Sequence, residues 1–266
     1  MKYFIETKSH EYIKFPFFKR GIYNIELISI GVVSGIIEEN MRFNEKIEEY
    51  NNEHKDINLY KLKPSREYSA INKEFDIRIA WKNKNIRENI LKPIHYELAK
   101  KGVDFNCSYV DWVDIITSRD NGFYDNRHYK TLKKLIKKYG KTQKQIATEI
   151  QRFIYHPALD LDDGMQNLDV YVEEWLKTNK IEFYSINSNY DWVILTWLSG
   201  KKDFLPKGFP EYIYNLNQLM NDKWNPFRSD YHRPEAHRDY PDKIIGNNTL
   251  EDAKRAYKLY EFIKII

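Results

Sequence analysis

Acidic and basic side chains alternate in the first apolar segment of the sequence, where "YFIETK" covers residues 3–8. Glu6 and Lys8 lie two positions apart, and residues two apart in a β-strand project from the same face of the sheet. Such an acid and base form either a plain ion pair or what remains of a metal-binding site. The choice matters, because carboxylate oxygens bind Mg²⁺ in hydrolytic enzymes and an ammonium group repels it.

Two further acids stand out by their positions. Asp191 begins a predicted helix directly after the predicted strand "IEFYSIN" (181–187), and Asp252 lies in the first turn of the last predicted helix. Carboxylates from distant points of a chain, brought together, can hold two Mg²⁺ ions about 4 Å apart, which stabilise the attacking and leaving oxygens of a phosphodiester. Glu6, Asp191 and Asp252 are therefore candidate metal ligands.

Each of these acids also has a purely structural interpretation. Asp252 ends the stretch from Thr249, which is similar to a capping box that satisfies free N–H groups at a helix start. Asp191 lies in a first turn, where the helix dipole favours a carboxylate, and Glu6 has Lys8 as a partner. The individual residues leave both interpretations open.

The hydrophobic patterns predict the elements that position these residues. The segment "LISIGVV" is apolar on both faces, which indicates a central strand, and three sequential strands predict an antiparallel meander. Gly140 separates two predicted helices, and Thr142 is a good N-cap for the second. The predicted strands are 2–7, 25–34, 66–75 and 181–187, and the predicted helices are 85–102, 127–155, from 189 onward, 208–222 and 248–266.

The length allows one large domain or two small ones, and the predicted elements, without internal repeats or a flexible Gly/Ser linker, favour one α/β domain. The chain has 266 residues, a net charge of +4 and a single cysteine, so a disulfide framework is excluded and a reducing compartment is expected. No segment is apolar and long enough for a signal peptide or a membrane span, which predicts a cytoplasmic protein without membrane contact. The bias toward Asn, Ile, Lys and Tyr indicates AT-rich coding, as in phages and low-GC bacteria, so the compartment would be the host cytoplasm for a phage protein.

Seven segments in order along the chain resemble successive blocks of the RNase AS family, polyadenylate-preferring 3′–5′ exoribonucleases within the DEDD exonucleases. These segments are "YFIETKSHEY", "IELISIGVVS", "REYSAINKEFD", "IRENILKPI", "YSINSNYDWVIL", "LPKGFPEY" and "NNTLEDAKRAYKLYE". The resemblance covers residues 1–102 and 181–266, apart from a polar excursion at 36–64. It implies an RNase H-like α/β fold, a mixed sheet flanked by helices, with residues 1–266 as one domain and about 103–180 as a helical insertion.

The family's catalytic set is Asp-x-Glu on the first strand, an Asp after a later strand, and a His five residues before a final Asp. The four acids hold two Mg²⁺, and the His acts as general base. Asp191 and Asp252 match the two later acids. In the other three positions the sequence departs from the pattern, with Glu6 for the first Asp, Lys8 for the Glu and Asn247 for the His.

These departures differ in their consequences. Glu6 keeps the charge on a longer side chain, but Lys8 places a cation where a ligand is expected, and its ammonium could reach the carboxylates. Asn247 can orient a water but cannot accept a proton as His does. His232 and His237, in the loop before the last helix, are the candidates for a substitute base.

The resemblance thus implies one of two functions. The first is a DEDD-type 3′–5′ exoribonuclease, impaired by three changes, that acts on RNA 3′ ends with Mg²⁺ or Mn²⁺ held by Glu6, Asp191 and Asp252. The second is an inactive pseudo-exonuclease that serves as a nucleic-acid-binding or protein-interaction module. The expected partner is RNA or another single-stranded nucleic acid, and the resemblance also suggests a homodimer; the residues that contact nucleic acid and the partner of the insertion are not specified by the sequence.

Overall fold

A five-stranded mixed sheet lies at the centre of the protein. The computed structural model describes residues 1–14, 22–35, 66–101, 127–159, 168–200, 205–224, 234–241 and 248–266. The excursion at 36–64, the loop around Pro16 and Gly21, His232 and Asn247 all lie outside these ranges. The strands are β1 (Lys2–Lys14), β2 (Ile22–Ser34), β3 (Glu67–Ile71), β4 (Glu182–Ser185) and β5 (Tyr214–Asn215).

The strand order is β3-β2-β1-β4-β5. Strands β1, β2 and β3 form the predicted antiparallel meander, and β4 and β5 run parallel to β1. The predicted central position of β2 is confirmed, because its residues from Leu27 to Ser34 are buried on both faces. With helices on both sides of this sheet, the fold class is mixed α/β.

A β-bulge interrupts the pairing of β1 with β2 beside the candidate site. Lys8 lies opposite Ser29 and Ser9 lies opposite Leu27, so Ile28 has no partner in β1. As the extra residue, Ile28 packs in a different hydrophobic cluster from Leu27 and Ile30, its neighbours in β2. Bulges of this kind re-aim side chains and increase the local twist, and they are common next to functional sites.

Helices cover the sheet. They are α1 (Ile77–Lys82), α2 (Lys84–Ile86), a π-helical turn (Arg87–Leu91), α3 (Lys92–Lys101), α4 (Arg127–Tyr139), α5 (Gln143–Leu159), α6 (Leu168–Thr178), α7 (Ser188–Leu198), α8 (Leu216–Lys223), a 3-10 turn (Pro234–Ala236) and α9 (Thr249–Ile265). Among the described residues, no helix is both long and apolar enough to cross a membrane.

Local chemistry explains where these helices begin and change. Thr142 is the predicted N-cap of α5: its hydroxyl accepts from the Gln145 amide, and the Gln145 side chain accepts from the Thr142 amide, which is a capping box. The π-helical turn lies just before Pro93, which has no N–H for the carbonyl of Asn89. In this turn the Lys92 amide donates a hydrogen bond to the carbonyl oxygen of Arg87, five residues earlier in the chain.

The helix predicted over 208–222 is wrong in its first half. Residues 214–215 form β5, and α8 begins only at Leu216. Pro210 has no amide hydrogen, Gly208 has a φ of 77° that a helix does not allow, and Asn215 caps α8 by accepting from the Gln218 amide.

The core is divided between the two faces of the sheet. On one face Tyr3 and Ile5 of β1 pack with α5, α6 and α7. On the other face Phe4 of β1 and Val33 of β2 pack with α8 and α9. A third cluster around Trp81 joins Ile28 to α1, α3 and α4. The stretch 103–180, predicted as a helical insertion, thus supplies the described helices α4, α5 and α6, and all three contribute buried side chains to these clusters.

Helix α9 lies unusually close to β2. A Cβ atom added to Gly31 would lie 2.3 Å from the carbonyl oxygen of Thr249 and 2.5 Å from the amide nitrogen of Leu250. Only a residue without a side chain fits under a backbone this near. Because Gly31 is opposite Glu6 in β1, this contact fixes the first turn of α9, and with it Asp252, over the candidate site.

We expect Gly31→Ala to destabilise the protein by about 1–3 kcal/mol or more, because the helix backbone must move away from the sheet. Urea unfolding followed by circular dichroism measures this change. Gly35→Ala is the matched control, because its Cβ would lie 3.4 Å from the nearest atom, the carbonyl oxygen of Lys2, and its stability should change by less than about 1 kcal/mol. Equal stabilities of the two variants would contradict the close packing of α9 on Gly31.

Candidate functional site

The carboxyl end of β4 brings two of the predicted acids together. The parallel pairing of β1 with β4 ends at Phe4 and Tyr184, and beyond this point β1 is paired only with β2. Glu6 lies just past this point, and its Oε1 accepts a hydrogen bond of 2.7 Å from the Ile186 amide. In open α/β sheets, ligands bind outside the carboxyl ends of the strands.

Asp191 reaches the same point from the start of α7. Its Oδ1 accepts hydrogen bonds from the Thr7 amide at 2.9 Å and from the Thr7 hydroxyl at 2.6 Å. Its Oδ2 accepts from the Ser185 hydroxyl, which also lies 3.3 Å from Oε1 of Glu6. Ser185 therefore joins the two carboxyl groups, and both are almost fully buried, with Asp191 1% and Glu6 4% exposed.

One additional proton is needed if both contacts of Ser185 with the carboxyl groups are to be hydrogen bonds. The Ser185 hydroxyl carries a single hydrogen and already accepts from the Asn187 amide at 2.8 Å, so it can donate to only one carboxyl group. A proton held by Glu6 would complete the second contact. Two acids that share a buried site in this manner do not both ionise readily.

The electrostatics of the site agree with a protonated Glu6. Burial and the neighbouring Asp191 raise the pKa of Glu6 well above its ordinary value, and the Ile186 amide and Lys8 oppose this shift only in part. Burial also raises the pKa of Asp191 to about 6, against the hydrogen bonds from Ser185 and Thr7. Burial and the neighbouring acid thus disfavour the charged form of Glu6.

Lys8 pairs with the third acid. Its Nζ lies 2.7 Å from Oδ2 of Asp252, and the two side chains are 25% and 21% exposed. Glu6 and Lys8 do project from one face of β1, as the spacing predicts, but the structure assigns them different partners. The interpretation of Glu6 as merely the ion-pair partner of Lys8 is therefore wrong.

Asp252 is also not a helix cap. The N-cap of α9 is Asn248, whose side chain accepts from the Leu250 amide at 2.8 Å, and the helix begins at Thr249. The carboxylate of Asp252 points instead to Lys8. Asp191 does lie in a first turn, as the dipole interpretation requires, but Thr7 and Ser185 hold its carboxylate.

The donor set does not fit the two-ion centre that the resemblance implies. Both oxygens of Asp191 and one oxygen of Glu6 already accept hydrogen bonds from protein groups, and Asp252 is paired with an ammonium. Among the described ranges, no three His, Cys, Asp or Glu side chains are grouped closely enough to hold a metal ion. The positive charge that the structure places beside Asp252 is the ammonium of Lys8.

His237 does not replace the missing histidine. Its ring packs against Phe262 with centroids 5.3 Å apart, and its Nδ1 accepts from the Asp239 amide. Phe262 follows Asp252 by ten residues in α9, which is about 15 Å along a helix at 1.5 Å per residue. His237 therefore lies at the far end of α9 from the site.

Sequence reasoning missed the hydroxyl groups that hold the acids. Thr7 and Ser185 carry no catalytic motif, and the available signal was only their position beside acids at strand ends. It also missed His10, which is buried on the same strand face as Lys8, with Nε2 3.2 Å from Oε2 of Glu26. A continuous polar stripe thus runs along this face of β1 from Glu6 to His10.

No family model matches this chain, and a search of the curated proteins finds no match either.

We expect Glu6→Gln to stabilise the protein at pH 7 in the presence of EDTA. The folded-state pKa of Glu6 lies above its unfolded value, so the ionised carboxylate destabilises the fold progressively as the pH rises from about 4.3 toward the folded pKa. The neutral amide removes this effect, and the gain is about 1.4 kcal/mol for each unit of pKa shift. Urea unfolding of both proteins from pH 4 to pH 8 measures it.

The two stabilities should approach each other as the pH falls to 4, where the wild-type carboxyl group is mostly neutral in both states. Glu11→Gln, on the same strand but exposed, is the matched control and should show no such pH-dependent gain. A Glu6→Gln variant that is less stable than the wild type at pH 7 would mean that Lys8 keeps Glu6 ionised.

Proposed function

We propose that this protein is a pseudo-exonuclease: a relative of the DEDD exonucleases that binds single-stranded RNA without a metal ion and does not cleave it. The order and placement of the acids support the relationship. Glu6 on the first strand, Asp191 after β4 and Asp252 in the last helix all lie at one end of the sheet. The mixed sheet flanked by helices is compatible with the RNase H-like fold that the resemblance implies.

The contact between Lys8 and Asp252 carries the proposal. In a two-ion nuclease the carboxylates at this place would bind cations from solution, and their charges would repel one another without them. Here an ammonium within 2.7 Å of Asp252 neutralises part of that charge permanently. Because Lys8 is part of β1, its ammonium is always present next to Asp252 and competes effectively with dissolved Mg²⁺ for that carboxylate.

The sequence also lacks the histidine that would act as general base, which is a second reason to propose that the protein does not cleave RNA. Asn247 takes the position of the expected His, and an amide cannot accept the proton of an attacking water. General-base assistance alone contributes about 10²–10⁴-fold to such reactions. A site in which Lys8 keeps metal ions out would lack the Lewis acid that lowers the pKa of water and stabilises the leaving oxygen.

The exposed face of α7 supports the binding part of the proposal. Tyr190, directly before Asp191, is 49% exposed, and Trp197 is 47% exposed. They are seven residues apart, so they lie on one side of the helix, separated by about two turns. Lys144 lines a groove beside Trp197. Aromatic rings with a nearby cation are the usual elements of single-strand binding, in which bases stack and phosphates meet the positive charge.

A second candidate function is the impaired 3′–5′ exoribonuclease working with Mg²⁺ or Mn²⁺. The meeting of Glu6 with Asp191 at Ser185 favours it, because two of the expected ligands remain neighbours. It requires Lys8 to move away from Asp252 when metal binds. The two functions therefore differ in how metal affects the folded protein.

We expect 5 mM Mg²⁺ or Mn²⁺ to leave the melting temperature of the wild-type protein unchanged, since an ion that bound the native state would raise it by mass action. Lys8→Glu should acquire a metal-dependent increase, because Asp252 is released and a fourth carboxylate is added to Glu6, Asp191 and Asp252. Lys8→Met is the matched control, which removes the cation without adding a ligand. A clear increase for the wild type would favour the exoribonuclease.

We expect the wild-type protein to bind a 5′-labelled oligoadenylate in EDTA and to leave it full length when Mn²⁺ is added. Tyr190→Ala/Trp197→Ala should weaken binding by about thirtyfold or more, since each of the two stacked bases contributes about 1–3 kcal/mol. Tyr212→Ala, an exposed aromatic on another part of the surface, is the control and should bind normally. Fluorescence anisotropy measures binding, and gel electrophoresis shows chain length.

Shortening of the oligonucleotide from its 3′ end that Asp191→Asn abolishes would refute the pseudo-exonuclease and establish the second function. A silent wild type beside an active Glu6→Asp/Lys8→Glu/Asn247→His variant would show that the fold retains a substrate-binding surface and that only the chemistry is absent.

A further inference from the structure

The outer side of helix α4 is covered by lysine side chains. Where the structure describes the side chains of α4, every exposed residue is a lysine: Lys130, Lys133, Lys134, Lys137 and Lys138. Spacings of three and four residues bring these side chains to one side of the helix, and they form its lysine face. The opposite side is buried in the hydrophobic cluster around Trp81, through Tyr129, Leu132, Leu135 and Ile136.

Acidic residues are missing from the sequence around the lysine face. Residues 126–148 contain eight Lys or Arg and no Asp or Glu, whereas 39 acids in 266 residues would place about three in a stretch of this length. The whole chain is nearly balanced, with a net charge of +4. Positive charge is therefore concentrated in this segment.

This arrangement opposes the stability of the helix. Five pairs within the lysine face are three or four residues apart, and like charges at that spacing are destabilising. Within the described ranges, Lys133, Lys134 and Lys137 have no carboxylate partner. Helices α6 and α9 show the usual stabilising arrangement, a lysine paired with a glutamate three residues earlier, as in Lys177 with Glu174 and Lys264 with Glu261. A local conflict of this kind is expected where a surface serves binding.

The lysine face is held rigidly against the sheet. Directly after α4, the Lys141 amide donates to the Ile71 carbonyl at 2.8 Å, and the Lys73 amide donates to the Lys141 carbonyl at 2.9 Å. These bonds fix the end of α4 to the end of β3, while the apolar side fixes its rotation. A ligand therefore meets ammonium groups on a preorganised helix, and little backbone ordering is needed for binding.

The chemistry of the lysine face fits a phosphate backbone. A helix that binds a membrane surface inserts its apolar side into the lipid, and that side of α4 is already buried. Protein interfaces are depleted in lysine and enriched in aromatic residues and arginine. Lysine contacts to phosphate are common in complexes with nucleic acids, where they hold the strand without reading its sequence.

A further lysine lies between this face and the exposed rings of α7. Lys144, in the first turn of α5, is the next exposed lysine along the chain, and it lines a groove together with Trp197. Glu74 lines the same groove, but its carboxylate accepts a hydrogen bond from the Gln143 amide. A strand whose bases stack on α7 could thus pass Lys144 and continue along α4.

We infer that the lysine face of α4 binds the phosphate backbone of RNA, independently of its bases. This inference rests on the proposed RNA-binding function and adds a second contact surface to the rings of α7. It assigns a role to a helix of the stretch 103–180, which lies outside the resemblance to the exonucleases.

The test measures binding of 20-nucleotide oligoadenylate and oligouridylate in EDTA at several NaCl concentrations, by fluorescence anisotropy. Lys133→Gln/Lys134→Gln/Lys137→Gln should bind both oligomers about tenfold more weakly at 50 mM NaCl. Its slope of log affinity against log salt should be smaller by about two, since each phosphate contact of a single strand contributes ~0.7. The matched control, Lys177→Gln/Lys258→Gln/Lys264→Gln, removes the same charge from exposed lysines of α6 and α9 and should bind nearly as the wild type.

Equal weakening by the two triple variants would overturn the inference, because net charge alone would then explain the effect. A loss seen with oligoadenylate but not with oligouridylate would also overturn it, since phosphates are common to both. Unchanged RNA binding together with lost binding to phosphatidylserine vesicles would assign the face to a lipid surface instead. A wild type that binds neither oligomer would refute the proposed function itself. Thermal melting checks the fold of the α4 variant, which should be no less stable than the wild type because repulsion is removed.

Discussion

The close approach of α9 to β2 at Gly31 determines the geometry of the site. No side chain fits between residue 31 and the Thr249 carbonyl, so the helix rests on the strand backbone. Its first turn then falls above the strands that carry Glu6 and Lys8, and Asp252 lies against the Lys8 ammonium. The same contact sets one wall of a small cavity that Ser29 of β2 and Thr249 of α9 both line. A side chain at residue 31 would change all three features together.

Charge balance is the second constraint. Several carboxylates brought to one end of a sheet need positive charge, because buried like charges otherwise shift their pKa values or destabilise the fold. A metalloenzyme takes that charge from solution and gains a reactive centre. Here the chain supplies it internally: Glu6 favours its neutral form, hydroxyl and amide donors hold Asp191, and Lys8 holds Asp252. Each negative group has a protein partner, and the arrangement is complete without an added ion.

Binding and chemistry can therefore separate on one scaffold. Function depends on sites rather than on the fold that carries them, and a few substitutions at the end of a strand change what the site can do. A lysine among carboxylates opposes divalent ions, which is why the proposed function is binding without hydrolysis. The exposed rings of Tyr190 and Trp197 offer a surface for the proposed binding.

Periodicity and local motifs in the sequence determined much of the framework: the antiparallel meander, the central strand β2, the shared face of Glu6 and Lys8, and the capping of α5 by Thr142. They did not determine which side chains contact one another. A period of two tells which face of the strand a side chain occupies but not which residue of another element it meets. That contact depends on how β4, α7 and α9 dock onto β1 from positions more than 170 residues away. Only the tertiary structure therefore decided that Lys8 pairs with Asp252 and that Thr7 and Ser185 hold Asp191. Docking is set by the summed burial of many side chains and by steric contacts such as Gly31 against Thr249, which no short stretch of sequence contains.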